Sequence, residues 1–239
     1  VLKVEIFGHH KIAPASSKST FFAKIYKMVV AILANSSAKA EILRKGVPPE
    51  VEIIWVDSLS SLKMMEADAW FDLQFRKDSE RSSNLKGLAP LFIGAVEVTT
   101  EYLPENAIRI NNWPGMIERS LVEIAAGNEV VLKEAARILD ELKWKFEVTP
   151  DIPGFISARV LAEIINEAYF TLEAGTSTKD EIDAAMKLGT NYPNGPFEWC
   201  KIIGIKNVYD LLMEISVMDD RYTPSSELKS ELHGIDPEY

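Results

Sequence analysis

Proton transfer near neutral pH falls most readily to histidine, and this chain has three: His9, His10 and His233. Residues 11–232 contain none, which removes imidazole chemistry from the body of the chain. The single cysteine, Cys200, allows neither an intrachain disulfide nor a cysteine-built zinc site. Arg109, Asn111 and Glu123 can form a polar cluster, yet an arginine stays protonated and an amide is no base. Asn35, Ser36 and Ser37 follow an apolar run and can hold an anion through amides and hydroxyls. Asp57 closes the next apolar run, where an acidic side chain either holds a ribose or caps a helix over 58–65; capping is the commoner role. His10 or Lys11 could touch a phosphate, although a solvated loop is the commoner setting for both.

The elements that must position these residues follow from the hydrophobic pattern. Met28–Leu33 is fully apolar, as in a strand buried in a parallel sheet. Strands are also expected over 51–56, 69–73, 91–96, 107–111, 121–125 and 143–148. Asn35 and Ser36 can cap a helix that runs through Lys45 and stops at Gly46. Glu129–Leu142 reads as an amphipathic helix, with Val130, Val131, Ala135, Ile138 and Leu142 on one side. Strands alternating with helices predict an α/β fold with a shortened, Rossmann-like doubly wound sheet over 1–149.

Two prolines and a glycine within Thr149–Gly154 mark a boundary, and beyond it an all-α domain is expected over 150–239. Its helices should cover 153–175, with Pro153 in the first turn, then 179–189 behind a Thr178–Glu181 capping box, and 208–216. Leu161, Ile164, Ile165, Ala168 and Leu172 form a stripe that should face its own domain's core. The polar stretch from Asp219 onward is expected to pack loosely. Residues 1–27 suggest a strand over 1–7 and a helix over 16–27, either joining the sheet or forming an extension.

At about 150 residues per domain, 239 residues also suit one to two domains. Hydrophobic residues make up 47% and charged residues 26%, a globular and not a disordered composition. A formal net charge of −10 argues against nucleic acid and anionic membrane surfaces as partners. The longest apolar run, Met28–Ala34, is far short of the ~20 residues that span a bilayer, and no secretion signal is evident, so a soluble cytoplasmic protein is expected.

The second half carries specific motifs: Asp151-Ile-Pro-Gly-Phe-Ile156, Ile165-Asn-Glu-Ala168, Ile182-Asp-Ala-Ala-Met186, Tyr192-Pro-Asn-Gly-Pro-Phe-Glu198 and Ile203-Gly-Ile205. In order and spacing they resemble the C-terminal domain of the 3-hydroxyacyl-CoA dehydrogenases. More weakly, Glu66–Phe71 and Leu121–Ile124 with Gly127 resemble that family's nucleotide-binding domain, with its long helical insertion before Glu66 almost absent. The resemblance implies NAD as cofactor, no metal, a homodimer built through the helical domain, and an acyl-CoA site between the domains.

Yet the family's chemistry finds poor counterparts. Gly-x-Gly-x-x-Gly falls on Leu33-Ala34-Asn35-Ser36-Ser37-Ala38, which keeps only the last position. The catalytic histidine of His-Phe-Phe-Asn-Pro falls on Ile110, and Glu123 matches the glutamate that orients it. Without an imidazole, Glu123 is expected to stay exposed or to pair with Arg109. The substrate-positioning asparagine falls on Ala158, and the family's serine segment on Gly94–Thr99. The sequence therefore favours a relative that keeps the fold, the dimer and a cleft for an acyl-CoA or a partner protein, without redox catalysis. The alternative is an active NAD-dependent 3-hydroxyacyl-CoA dehydrogenase of fatty-acid metabolism with a divergent site.

Overall fold

The computed structural model describes residues 27–235 apart from Asp78. The segments expected over 1–7 and 16–26, together with His9, His10 and Lys11, lie outside those residues. Seven strands form one sheet: β1 (Met28–Leu33), β2 (Val51–Val56), β3 (Ala69–Asp72), β4 (Leu91–Ile93), β5 (Ala107–Ile110), β6 (Leu121–Ala126) and β7 (Lys145–Val148). Their order is β2-β1-β3-β4-β5-β6-β7. Pairing is parallel except between β5 and β6. The order reverses at β1, and Leu33 pairs with both Val56 and Asp72, so the three strand ends are level where the crevice opens.

Helices α1 (Ser36–Lys45) and α4 (Glu129–Glu141) cover one face, burying Ile42, Ala135 and Ile138 against Val30, Phe71 and Ile108, whereas Val130, expected on the same side of α4, is exposed in its first turn. There Phe71 stacks on Phe92 at 4.3 Å. Short α2 (Leu59–Met64) and α3 (Ser79–Asn84) cover the other face, where Leu62 and Leu85 meet Leu33 and Ile93. The helical half consists of α5 (Ser157–Glu173), α6 (Lys179–Thr190), α7 (Pro196–Ile203), α8 (Ile205–Ser216) and α9 (Ser226–Ile235). Its core also takes in Val96, Trp113, Met116 and Ala125 from the sheet half, so the two halves share buried surface. Among the described residues no helix is long and apolar enough to cross a membrane.

Several boundaries differ from the sequence reading. The strands expected over 91–96 and 143–148 are shorter, ending at Ile93 and starting at Lys145. Helix α5 begins at Ser157 and not at Pro153, because Gly154 (φ +89°) and Phe155 (φ +51°) adopt left-handed backbone that a helix cannot contain. A Cβ at Gly154 would also lie 3.1 Å from the Arg159 Cβ and 3.2 Å from the Leu211 methyls, so only glycine lets this turn close. Helix α8 starts three residues before Val208, directly after Gly204.

The tail after Asp219 is packed, not loose. Tyr222, Leu228 and Leu232 are buried, and Asn166, itself buried, donates to the Thr223 carbonyl and accepts from the Ser225 amide. The stripe on α5 faces its own core as expected at Leu161, Ile165 and Ala168.

Candidate functional site

Helix α1 starts where a parallel α/β sheet would offer its amides to an anion. Here the Asn35 Oδ1 accepts from the Ala38 amide at 2.9 Å, so the chain caps that helix with its own side chain. Leu33, at the first glycine position of a dinucleotide fingerprint, is buried in the core. A pyrophosphate needs bare backbone at these positions. Leu33 and Asn35 fill them with side chains, and the residues do not fit the group. Asp57 is exposed at the end of β2 and does not cap α2: Ser58 does, its Oγ accepting from the Ser61 amide at 3.1 Å.

Beyond the strand ends lies a cleft of about 1080 Å³ between the sheet and α8. Asn35 and Ser37 line it, but Ser36 and Asp57 do not. Trp113 and Tyr209 supply aromatic surface. Ion pairs fix its walls: Lys77 to Glu214 at 3.2 Å across the two halves, and Lys206 to Asp210 at 2.8 Å along α8. Glu41, buried on α1, accepts from the amides of Gly115 and Ile117 at 2.9 and 3.2 Å and so ties α1 to the segment after β5. Asn112 donates to the Leu73 carbonyl at 2.9 Å. A Cβ at Gly94 would stand 2.3 Å from its Nδ2, so the glycine makes room for this amide.

Glu97, in the loop after β4, also lines this cleft. The Trp113 indole donates to its Oε1 at 3.3 Å. Burial pushes the Glu97 carboxyl above the usual range and the charge of Asp210 adds to this, while hydrogen bonds and Arg109 oppose it. The sequence reading passed over Glu97, although it is the one charge in the stretch Leu91–Thr99.

Glu123 lies elsewhere. The β5–β6 pairing sets Ile110 against Ile124 and carries Asn111 to the place opposite Glu123, with the Asn111 amide bonded to the Glu123 carbonyl. Side chains alternate between faces, so Ile110 enters the core, fully buried, while Asn111 meets the glutamate. The Asn111 Nδ2 donates to the Glu123 Oε2 at 2.8 Å. Glu123 also accepts from the amides of Ile156 and Ser157, at 3.1 and 3.0 Å, and from the Ser157 hydroxyl at 2.5 Å.

Opposite this glutamate, then, stands Asn111, one residue on from the Ile110 of the sequence match. Glu123 is neither free nor paired with Arg109; it holds the start of α5. It borders a separate recess of about 270 Å³ with Met116, Arg119 and Ser120.

Arg109 is fully buried and pairs with Asp151 at 2.7 Å. It also donates to the carbonyls of Ala95, Val96 and Ile152, and its guanidinium lies 4.5 Å from the centre of the Phe155 ring. Hydrogen bonds from Thr100 and Arg109 hold the Asp151 carboxyl below the usual carboxylate range, outweighing the opposing effect of its burial. Ala158 is buried in the helical core and reaches neither cavity. The structure thus separates the candidates: Asn35 and Ser37 in the cleft, Glu123 in the recess, and Ser36, Asp57, Ile110 and Ala158 in neither. Among the described residues no group of three or more His, Cys, Asp and Glu side chains could hold a metal ion.

Residues 154–232 match the family model of the 3-hydroxyacyl-CoA dehydrogenase C-terminal domain. A 3-hydroxybutyryl-CoA dehydrogenase of Bradyrhizobium diazoefficiens is 32% identical over 126 residues, which is 51% of this chain and 43% of the relative. A probable 3-hydroxybutyryl-CoA dehydrogenase of Deinococcus radiodurans is 37% identical over 116 residues, 46% of this chain and 41% of the relative. Either match spans less than half of the relative's length. Fold similarity reaches further. The (S)-3-hydroxybutyryl-CoA dehydrogenase PaaH1 of Ralstonia eutropha aligns with a TM-score of 0.68 at 17% identity, covering 87% of this chain and 94% of that one. FadB2 of M. tuberculosis aligns with a TM-score of 0.66 at 15% identity over the same shares. Sequence in the helical half and the Rossmann-plus-helical architecture agree: residues 154–232 form a 3-hydroxyacyl-CoA dehydrogenase C-terminal domain, and the described fold is the one these dehydrogenases share.

Proposed function

We propose that this chain no longer transfers hydride and keeps the cleft between its halves as a binding site for an acyl-CoA or a partner protein. One observation carries the reading: the side chain opposite Glu123 is the amide of Asn111, at 2.8 Å, where oxidation of a hydroxyl needs a group that accepts its proton. The filled turn before α1 supports it, because NAD, expected from the family resemblance, needs backbone that Leu33 and Asn35 cover. An active NAD-dependent dehydrogenase with a divergent site is the second reading, favoured by the names of the relatives.

Calorimetric titration with NADH, followed by an assay of acetoacetyl-CoA reduction, separates the two. The expected outcome is no NADH binding at millimolar concentration and no turnover. Micromolar binding with turnover would remove the first reading in favour of the second.

We further propose a homodimer through the helical half, in line with the family resemblance and with the half-exposed Val160 and Phe170 on α5. Light scattering at micromolar concentration tests it. A mass near 26.8 kDa, that of one chain, would rule the dimer out.

A further inference from the structure

We propose that Glu97 is an acid–base group of the cleft, and that the cleft acts on a carbonyl compound with a hydrogen on the carbon beside the carbonyl. The substrate class rests on the acyl-CoA reading above, but the proton transfer needs no dinucleotide.

The place is favourable. Glu97 faces the crevice formed by the ends of β1, β3, β4 and β5 and by α8, where open parallel sheets bind their ligands. Its carboxyl is also held in position: Trp113, packed in the core shared by the two halves, donates to one oxygen at 3.3 Å.

Among the described residues no ion pair includes Glu97. Arg109 on β5 is paired with Asp151, and Lys206 on α8 is paired with Asp210. Asp210 faces Glu97 from α8 as a like charge. Burial beside that charge makes the ionised carboxylate a stronger base than an exposed one, as removal of a carbon-bound proton requires.

The step balances without a further reactant. The Cα–H bond breaks, the proton passes to a Glu97 oxygen, and the electron pair forms a Cα–C double bond as the carbonyl oxygen takes up negative charge. Return of a proton from Glu97 to the same carbon restores the carbonyl compound. In heavy water the proton held on the Glu97 carboxyl exchanges with solvent, so the hydrogen that returns to the carbon is deuterium.

The test is loss of the C2 hydrogens of butyryl-CoA in D2O, followed by proton NMR with the full chain, alongside calorimetric binding of butyryl-CoA. Exchange should exceed the protein-free rate and rise with pH as Glu97 ionises. It should fall by about a hundredfold in Glu97→Gln. Trp113→Phe keeps the carboxyl but removes the N–H that favours its ionised form, so its pH profile should move upward. This second variant serves if Glu97→Gln does not fold. Binding without exchange, or equal exchange in Glu97→Gln, overturns this inference alone. No binding overturns both it and the acyl-CoA reading.

Discussion

Two glutamates, one in the loop after β4 and one on β6, have opposite surroundings. Glu123 lies between β6 and the start of α5 and accepts four hydrogen bonds, from Asn111, Ile156 and twice from Ser157. Glu97 lies half-buried in the cleft and accepts from the Trp113 indole and its own backbone amide. A carboxylate surrounded by donors is a structural joint. A half-buried one with fewer donors, in a place where burial raises its pKa, gains from keeping its proton, which is how a protein readies a carboxyl to move one. The residue that matched the family's machinery became the joint, and the residue without a counterpart faces the cleft.

Arg109 stands behind both glutamates, and its loss should have the largest effect. Its guanidinium bonds the carbonyls of Ala95 and Val96 next to Glu97, and also Asp151 and Ile152 in the linker to α5. Arg109→Met would leave Asp151 without its ion pair and the Ala95 and Ile152 carbonyls without this donor, while the Val96 carbonyl keeps the Gly154 amide. Breaking a buried pair costs about 3–5 kcal/mol; the partial exposure of Asp151 points to the lower end, to be read by urea denaturation. The Asp151 contribution also has a defined sign. Its folded pKa is depressed, so its stabilisation is present above the ordinary aspartate range and declines as pH falls through the folded value. Arg109→Met should flatten that acid limb.

Substituting each glutamate by glutamine tests the comparison directly. In Glu123→Gln one carboxylate oxygen becomes an NH2 facing donors, and a loss of about 1–3 kcal/mol is expected across the neutral range. Glu97→Gln should behave differently. Because the folded pKa of Glu97 is raised, the unfolded chain releases this proton first, and stability falls as pH rises from the ordinary glutamate range to the folded value. Glutamine has no proton to lose there, so the melting temperature of the variant should gain on the parent as pH rises. Equal pH profiles for the two variants would erase the distinction between joint and cleft carboxyl.

Much of this arrangement can be read from the chain, but the Glu123 partnership cannot. The apolar run over 28–33 and the Asn35 and Gly46 caps define β1 and α1 because local preference and burial agree there. Likewise Thr178 and Glu181 form the capping box that starts α6. The partner of Glu123, by contrast, depends on which residues of β5 and β6 pair. A shift of one residue moves every side chain to the other face, which separates Ile110 from Asn111. The start of α5 was hidden by two left-handed residues, one of them the non-glycine Phe155. In the tail, average polarity masked Leu228 and Leu232, four residues apart on one face of α9.

An effect of similar size to that of Glu123→Gln, but placed in the cleft, is expected from Gly94→Ala. The added methyl would enter the space of the Asn112 amide, 2.3 Å from its Nδ2. Either that side chain turns away and loses its bond to the Leu73 carbonyl, or the strand end shifts. Overpacking of this kind costs about 1–3 kcal/mol. Since Asn112 and Gly94 both line the cleft and neither lines the recess, ligand affinity should weaken while the contacts of Glu123 remain.

The smallest pair of effects concerns the end of β2, where Asp57 could have held a ribose or capped a helix. Ser58 takes the capping role through its bond to the Ser61 amide, and Asp57 points to solvent outside the cleft. Ser58→Ala should therefore destabilise by about 1 kcal/mol, and Asp57→Ala by less than about 0.5 kcal/mol, as at other exposed positions. Neither should change ligand binding in the cleft. A larger loss of NADH or acyl-CoA affinity in Asp57→Ala than in Gly94→Ala would return Asp57 to the binding surface and shift the functional cleft toward β2.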